Sequence, residues 1–236
     1  MDYFSLQKNL EDFGFEIFTL NDIVKITGQK KDVVKSTVTR LVKQKKIFRL
    51  KANYYSLRKI DNKFQLQKLY TNTYIGLNSA LEFYGTTTQR FNTLDLITIK
   101  KLKIQNIENT EIDFHKVKSA LFFGYKKIRI NNTEIFISNT EKTIIDCIYF
   151  SSKVYLTEIN EFIRLNKKVI NSEIILDYLN KINSSTLNKR AGYLLELNNI
   201  KLKGLKINSK FERLNKNLVG NGTNNSTWKL IINEEL

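Results

Sequence analysis

The chain has 236 residues, enough for a small domain followed by a larger one, each able to bury a core. Its 39 Lys and Arg against 23 Asp and Glu give a net charge of +16, the balance of a protein that meets a polyanion, most often nucleic acid. One cysteine, Cys147, and one histidine, His115, exclude an internal disulfide and a Cys/His zinc site and fit a reducing, cytoplasmic setting. No apolar window of about 18 residues exists to span a membrane, and the acid-bearing start MDYFSLQKNLEDFGF does not read as a signal peptide.

Proline is absent, so Gly, Asn, Ser and Thr must mark the element boundaries. Tyr3, Leu6 and Leu10 stand at helical spacing, with Phe13 and Phe15 closing a short first helix. In FTLNDIVKITG, Thr19 and Asp22 have the spacing of an N-terminal cap, and Gly28 ends the turn after Ile23, Val24 and Ile26. The next helix, over 30–46, carries Val34, Val38, Leu41 and Val42 on one apolar face. KIFRL and NYYSL then read as two strands joined by Lys51-Ala52-Asn53, with Asn53 in the left-handed conformation that a tight hairpin needs.

Helix, helix, turn, helix and hairpin is the order of a winged helix-turn-helix. Charge is concentrated there: between Lys25 and Lys59, twelve basic residues and one acid, Asp32, hold +11 of the +16. Opposite the apolar face of the third helix stand Ser36, Thr39, Arg40 and Lys43, with Lys35 on its flank. These side chains reach base edges and phosphates when a helix lies in a major groove. The expected contacts are Ser36, Thr39 and Arg40 to bases, Lys30, Lys31, Lys35 and Lys43 to phosphates, and Arg49, Lys51 and Tyr54 from the wing.

Asp61-Asn62 marks a boundary, giving domains of 1–60 and 61–236. NKFQLQKLY and YIGLNSALEFYG read as helices, the second ended by Gly85. Strands follow in FNTLDLITI, EIDFHKV, ALFFGYKKIRI and TEIFIS, with Asn131-Asn132 as a hairpin turn. Ser138 and Glu141 form a capping box opening TEKTIIDCIYF, whose buried side is Ile144, Ile145, Ile148 and Tyr149. LTEINEFIRL, SEIILDYLNKI and SSTLNKRAGYLLEL continue as helices, and a last strand carries Trp228. The expected fold is α+β: an N-terminal winged helix-turn-helix and a larger mixed domain with an antiparallel sheet and a helical C-terminal part.

The larger domain carries acids that could suggest metal-dependent nuclease chemistry: Glu141 and Asp146, with Lys142, on one helix, and Asp95 and Glu134 on strands. The capping box accounts for Glu141, and Asp146 at i+5 does not share its face. His115 reads as structural or surface, Cys147 as a buried inert thiol, and Lys189 and Arg190 as ion-pair partners of Asp146 or Glu196. GNG at 220–222 is no phosphate loop, and no cofactor signature is present.

In order and spacing these segments resemble the AbiEi family of antitoxins from type IV toxin-antitoxin and abortive-infection systems. The likeness rests on the helical module at 19–57, YIGLNSALEFYG, similar to the family's Y-x-S-x-x-S-A-L-x-x-Y-G, and FFGY. It continues through SNTEKTIIDCIY, similar to A-x-P-E-K-A-L-L-D-L-I-Y, then KRAGYLLE and WKLIIN. Thr140 replaces the family's proline, and Ala52-Asn53 its wing glycine. The resemblance implies a non-enzymatic repressor that binds repeated sequences in its own promoter DNA. It also implies a C-terminal domain counteracting a nucleotidyltransferase-like toxin, with Glu141, Lys142, Asp146, Lys189 and Arg190 as candidate residues there. A nuclease delivered by a winged helix and a stand-alone regulator are the alternatives.

Overall fold

A computed structural model describes residues 2–87 and 92–236. Helix α1 (Tyr3–Asp12) starts where the Asp2 carboxylate accepts from Ser5 N at 3.0 Å, and it turns Leu6 and Leu10 inward. Strand β1 (Ile17–Thr19) leads into α2 (Leu20–Thr27). Here the capping box closes reciprocally: Thr19 Oγ1 accepts from Asp22 N at 3.2 Å, and Asp22 Oδ2 accepts from Thr19 N at 2.7 Å. Such a cap is worth about 1 kcal/mol. Gly28, at φ +66°, ends α2, and α3 (Lys31–Lys43) follows.

Strands β2 (Phe48–Lys51) and β3 (Tyr54–Ser56) form the expected hairpin, with Asn53 at φ +66°. The three-residue β1 lacks its own periodic signal and was not expected. It pairs antiparallel with β3, giving the order β1-β3-β2. Leu6, Leu10, Phe18, Ile23, Val34, Val38, Leu41 and Ile47 fill the core between this sheet and the three helices.

Residues 63–69, expected as α-helix, form a 3₁₀ helix instead. Its two buried glutamines make tertiary bonds that fix the tighter turn. Gln67 Nε2 donates to Thr73 O at 2.9 Å while its Oε1 accepts from Phe136 N at 2.9 Å, and Gln65 Nε2 donates to Glu16 Oε2 at 2.6 Å. The chain continues through β4 (Thr73–Ile75), α4 (Leu77–Phe83), β5 (Thr93–Thr98), β6 (Gln105–Ile107), β7 (Thr110–Lys116), β8 (Tyr125–Ile130) and β9 (Thr133–Ser138). Of the strand expected over 91–99, residue 91 lies outside the described residues.

The six strands run in the order β6-β7-β5-β4-β9-β8. The expected antiparallel sheet is mixed, because β5/β7 and β4/β9 are parallel pairs. Local hairpins such as β8/β9, turned at Asn131 (φ +50°), are readable in sequence. The parallel pairs join strands distant in sequence or separated by β6, which folds onto the outer edge of β7.

Helices α5 (Thr140–Tyr149), α6 (Leu156–Asn166), α7 (Ser172–Ile182) and α8 (Ser185–Leu197) cover one side of the sheet. A small sheet of β10 (Glu212–Arg213), β11 (Thr223–Asn225) and β12 (Leu230–Ile232), ordered β10-β12-β11, closes the chain. Two local expectations shift. Asn139, not Ser138, caps α5, its side chain accepting from Lys142 N, while Ser138 Oγ is held by Thr143 Oγ1 at 2.7 Å. Tyr149 is exposed, although α5 is buried continuously from Glu141 to Ile148.

The opposite side of the large sheet buries Leu66, Leu94, Ile112 and Ile135 together with Ile17 of β1 and Leu50 of β2. The N-terminal module therefore packs directly on the larger unit. Trp228, expected in a strand, occupies the turn before β12 and lies on Gly192 of α8, where a Cβ would fall inside its ring. Gly192→Ala should accordingly lower stability by about 1–3 kcal/mol through overpacking, read as a reduced urea midpoint at constant slope.

Candidate nucleic-acid interface and buried charge clusters

The third helix presents the face expected of it. Lys31, Lys35, Ser36, Thr39, Arg40 and Lys43 are exposed, as is Lys30 at the N-cap position, while Val34, Val38 and Leu41 are buried behind them. Ser36 Oγ donates to Val33 O at 2.9 Å and Thr39 Oγ1 to Lys35 O at 2.8 Å. Each hydroxyl oxygen keeps acceptor capacity facing solvent. Arg40 and Lys43 occupy the last turn, where the helix dipole favours cations. Arg49 extends the basic surface onto β2.

Lys51 and Tyr54 are placed differently from the expected wing contacts. A bulge between Arg49 and Lys51 breaks the strict alternation of β2, so that buried Leu50 and half-buried Lys51 both turn toward the larger unit. Lys51 Nζ donates to Leu69 O at 3.1 Å and lies 3.9 Å from the centroid of the Tyr70 ring. Desolvation pushes its pKa down. Tyr54 packs with Ile17 and Leu50 against the sheet. These two residues thus fasten the β2/β3 hairpin from behind, on the side away from α3.

All five candidate residues of the larger unit are buried. Lys142 Nζ forms a close ion pair with Asp146 Oδ1 one helical turn away and donates to Tyr74 OH at 3.0 Å. The Tyr74 hydroxyl in turn donates to Asp146 Oδ2 at 2.9 Å, closing a three-member network in the core. Burial pushes the Asp146 carboxyl up, against the opposing pull of Lys142 and the Tyr74 hydroxyl. The Tyr74 phenol is raised well above its usual range, by burial first and by the Asp146 charge second. Burial also raises the Cys147 thiol, as befits an inert core cysteine.

Glu141 does not close a capping box, because the cap lies one residue later than expected. Its Oε1 reaches across to accept from Asn171 N, the N-cap residue of α7, at 2.9 Å. Lys189 and Arg190 find neither Asp146 nor Glu196. Lys189 Nζ donates to Glu212 Oε1 at 3.0 Å, Asn208 Oδ1 at 2.7 Å and Lys210 O at 2.5 Å, and Arg190 Nη2 donates to Arg213 O at 3.0 Å. Glu196 accepts from Trp228 Nε1 instead, at 2.5 Å.

The four acids considered for nuclease chemistry are taken up separately. Asp146 pairs with Lys142, Glu141 caps α7, Glu134 lies exposed 3.1 Å from Lys127, and Asp95 bonds to His115. Sequence reasoning missed Tyr74 and Glu212 as partners, and it missed the grouping of Asp95, Asp113 and His115, whose ligand atoms lie within 4.8 Å of one another. The i, i+4 spacing of Lys142 and Asp146, and the i, i+2 spacing of Asp113 and His115 on one strand, were the available signals.

The molecule is thus a mixed α+β protein in which a small helical module and its three-stranded sheet sit on a larger sheet-and-helix unit. No family model matches the sequence, and no curated protein matches it. Among solved structures, the fold is similar to that of the RV2827C protein from Mycobacterium tuberculosis. The TM-score is 0.64 at 10% identity, over 97% of this chain and 90% of that one, a likeness that carries the fold alone. Among the described residues, no helix is long and apolar enough to cross a membrane.

The buried network makes a direct test of its energetics. Asp146→Ala, which strands the Lys142 ammonium in the core, should cost about 3–5 kcal/mol in denaturant unfolding, whereas Lys142→Met combined with Asp146→Leu should cost less than the two single changes summed.

Proposed function

We propose that this protein is a cytoplasmic DNA-binding repressor that serves as the antitoxin of a type IV toxin-antitoxin system. On this reading the N-terminal module is a winged helix-turn-helix that binds repeats in the promoter of its own operon. The larger unit counteracts a nucleotidyltransferase-like toxin, and the chain acts by binding and not by turnover. The observation that carries the DNA half is the exposed face of α3, where Lys31, Lys35, Ser36, Thr39, Arg40 and Lys43 stand opposite a buried valine and leucine face. The +11 concentrated between Lys25 and Lys59 supports it, since a field of that density draws phosphates and releases their counterions. The antitoxin half rests on the resemblance of the motifs from YIGLNSALEFYG to WKLIIN.

Arg40 and Lys43 have separable roles in this reading. Arg40→Ala should weaken operator binding by about 1–3 kcal/mol and relax sequence preference, the signature of a lost base contact. Lys43→Ala should weaken all duplexes alike and reduce the salt slope by about 1. Lys51→Ala should leave that slope unchanged, because its ammonium faces Leu69 and Tyr70. A salt titration of promoter DNA against the parent and the three variants reads all of this, and Arg40 and Lys43 variants that titrate like the parent would remove the groove assignment. The antitoxin half has its own check in the adjacent gene: a nucleotidyltransferase there supports it, and its absence favours a stand-alone regulator.

A further inference from the structure

The parallel pair β5/β7 gathers chemistry on the helix side of the large sheet that neither the DNA-facing surface nor the Lys142 network uses. Its register sets Asp95 opposite Asp113 and Ile97 opposite His115. Alternate strand residues share a face, so Asp95, Asp113 and His115 project to the same side. There His115 Nε2 lies 2.8 Å from Asp95 Oδ1 and 3.6 Å from Asp113 Oδ2. We propose that these three side chains form a binding site for a divalent first-row transition-metal ion of the zinc type, with at least one coordination position left open. The proposal is independent of DNA binding and of the antitoxin reading.

Bond lengths of about 2.0–2.2 Å from one ion to nitrogen and oxygen ligands put neighbouring ligand atoms about 2.9 Å apart at right angles and about 3.4 Å apart in a tetrahedron. The observed 2.8 and 3.6 Å bracket those separations and the remaining pair lies within 4.8 Å, so side-chain adjustment that draws the two carboxylates together would bring all three atoms onto one ion. One imidazole nitrogen with two carboxylate oxygens is a donor set for a borderline cation, and three protein ligands leave room for water or a further ligand.

The surroundings are arranged as an outer shell would be. Ser79 Oγ accepts from Asp95 N at 2.8 Å and donates to Asp95 Oδ2 at 3.3 Å, which fixes the carboxylate and leaves Oδ1 directed at the cluster. The Phe150 ring, 5.6 Å from the imidazole between centroids, forms an apolar wall. Asp95 and His115 are buried, while Asp113 keeps a fifth of its side chain exposed and so offers the way in from solvent. Its Oδ2 lies 3.5 Å from Lys153 Nζ and 3.6 Å from His115 Nε2, at or beyond the limit of hydrogen bonding, so this oxygen is not saturated by either group. Lys153 itself is more than half exposed and can withdraw when a metal ion arrives.

The full chain, stripped with a chelator, should bind one equivalent of Zn2+ by calorimetry, and Co2+ should give a saturable d–d absorption at the same stoichiometry. Asp113→Asn should weaken binding at least tenfold, given that even outer-shell partners contribute about 10- to 100-fold. His115→Ala should remove the Co2+ signal. Because Asp113 is partly exposed, Asp113→Asn, with folding checked by circular dichroism, decides the matter even where His115→Ala loses the fold. Lys153→Ala should bind as tightly as the parent or more tightly, since it removes a competing cation. Absence of one-equivalent binding by the parent, or undiminished binding by Asp113→Asn, overturns the proposal, and weaker Zn2+ binding by Lys153→Ala does so too, because loss of a competing ammonium cannot weaken a cation held by Asp113.

Discussion

The sheet β1-β3-β2 contributes side chains to two cores, one on each of its faces, and the relation between the two halves of the molecule depends on that position. Phe18, with Ile47 and Leu57 flanking the strands, closes the core that holds α2 and α3, while Ile17, Leu50 and Tyr54 enter the core of the larger sheet. A small three-stranded sheet with one wet face would leave its helices free to reorient. Here polar bonds cross the same junction: Gln65 links Glu16 to Thr133, and Lys51 reaches the Leu69 carbonyl. Separating the halves would expose apolar surface and strand the buried glutamine, so the orientation of α3 is tied to that of the large sheet.

The larger unit is organised around charges that have no access to water. Lys142 and Lys189 are essentially fully buried, and each is satisfied by a carboxylate plus neutral acceptors: Tyr74 for the first, Asn208 and a backbone carbonyl for the second. An ammonium in a core is tolerable only with a carboxylate and further acceptors of this kind, because the desolvation cost otherwise exceeds the attraction of a single partner. Each network also ties distant segments together. Tyr74 joins β4 to α5, Glu141 joins α5 to α7, and Lys189 joins α8 to the segment holding β10. Apolar contacts alone would allow these helices several packings of similar energy, whereas directional bonds select one.

Much of the local structure was legible in the sequence. The Thr19/Asp22 cap, the stops at Gly28 and Gly85, the left-handed Asn53 and Asn131 and the two faces of α3 all follow from interactions within a few residues. The misses were non-local: β1 forms only because β3 offers it an edge, the 3₁₀ segment is held by glutamine bonds across the fold, and the parallel pairing of β5 with β7 comes from the placement of β6. Among the candidate site residues, those on α3 were legible because helical periodicity alone separates its exposed and buried faces. Lys51 was misplaced because a bulge re-aimed it, and Lys189 and Arg190 because their partners lie 19 to 23 residues further along the chain.

By itself, then, the sequence determined where charge accumulates, which face of α3 is apolar, where most helices begin and end, and that the protein combines helices with sheet. Those are consequences of composition, of 3.6-residue periodicity and of caps whose partners are three or four positions apart. Only the tertiary structure decided that Lys51 faces inward, that Glu141 holds the start of another helix, and that Asp95, Asp113 and His115 converge. Each of these depends on strand register or on contacts between residues distant in the chain, and such contacts are selected by the burial and polar satisfaction of the whole fold at once.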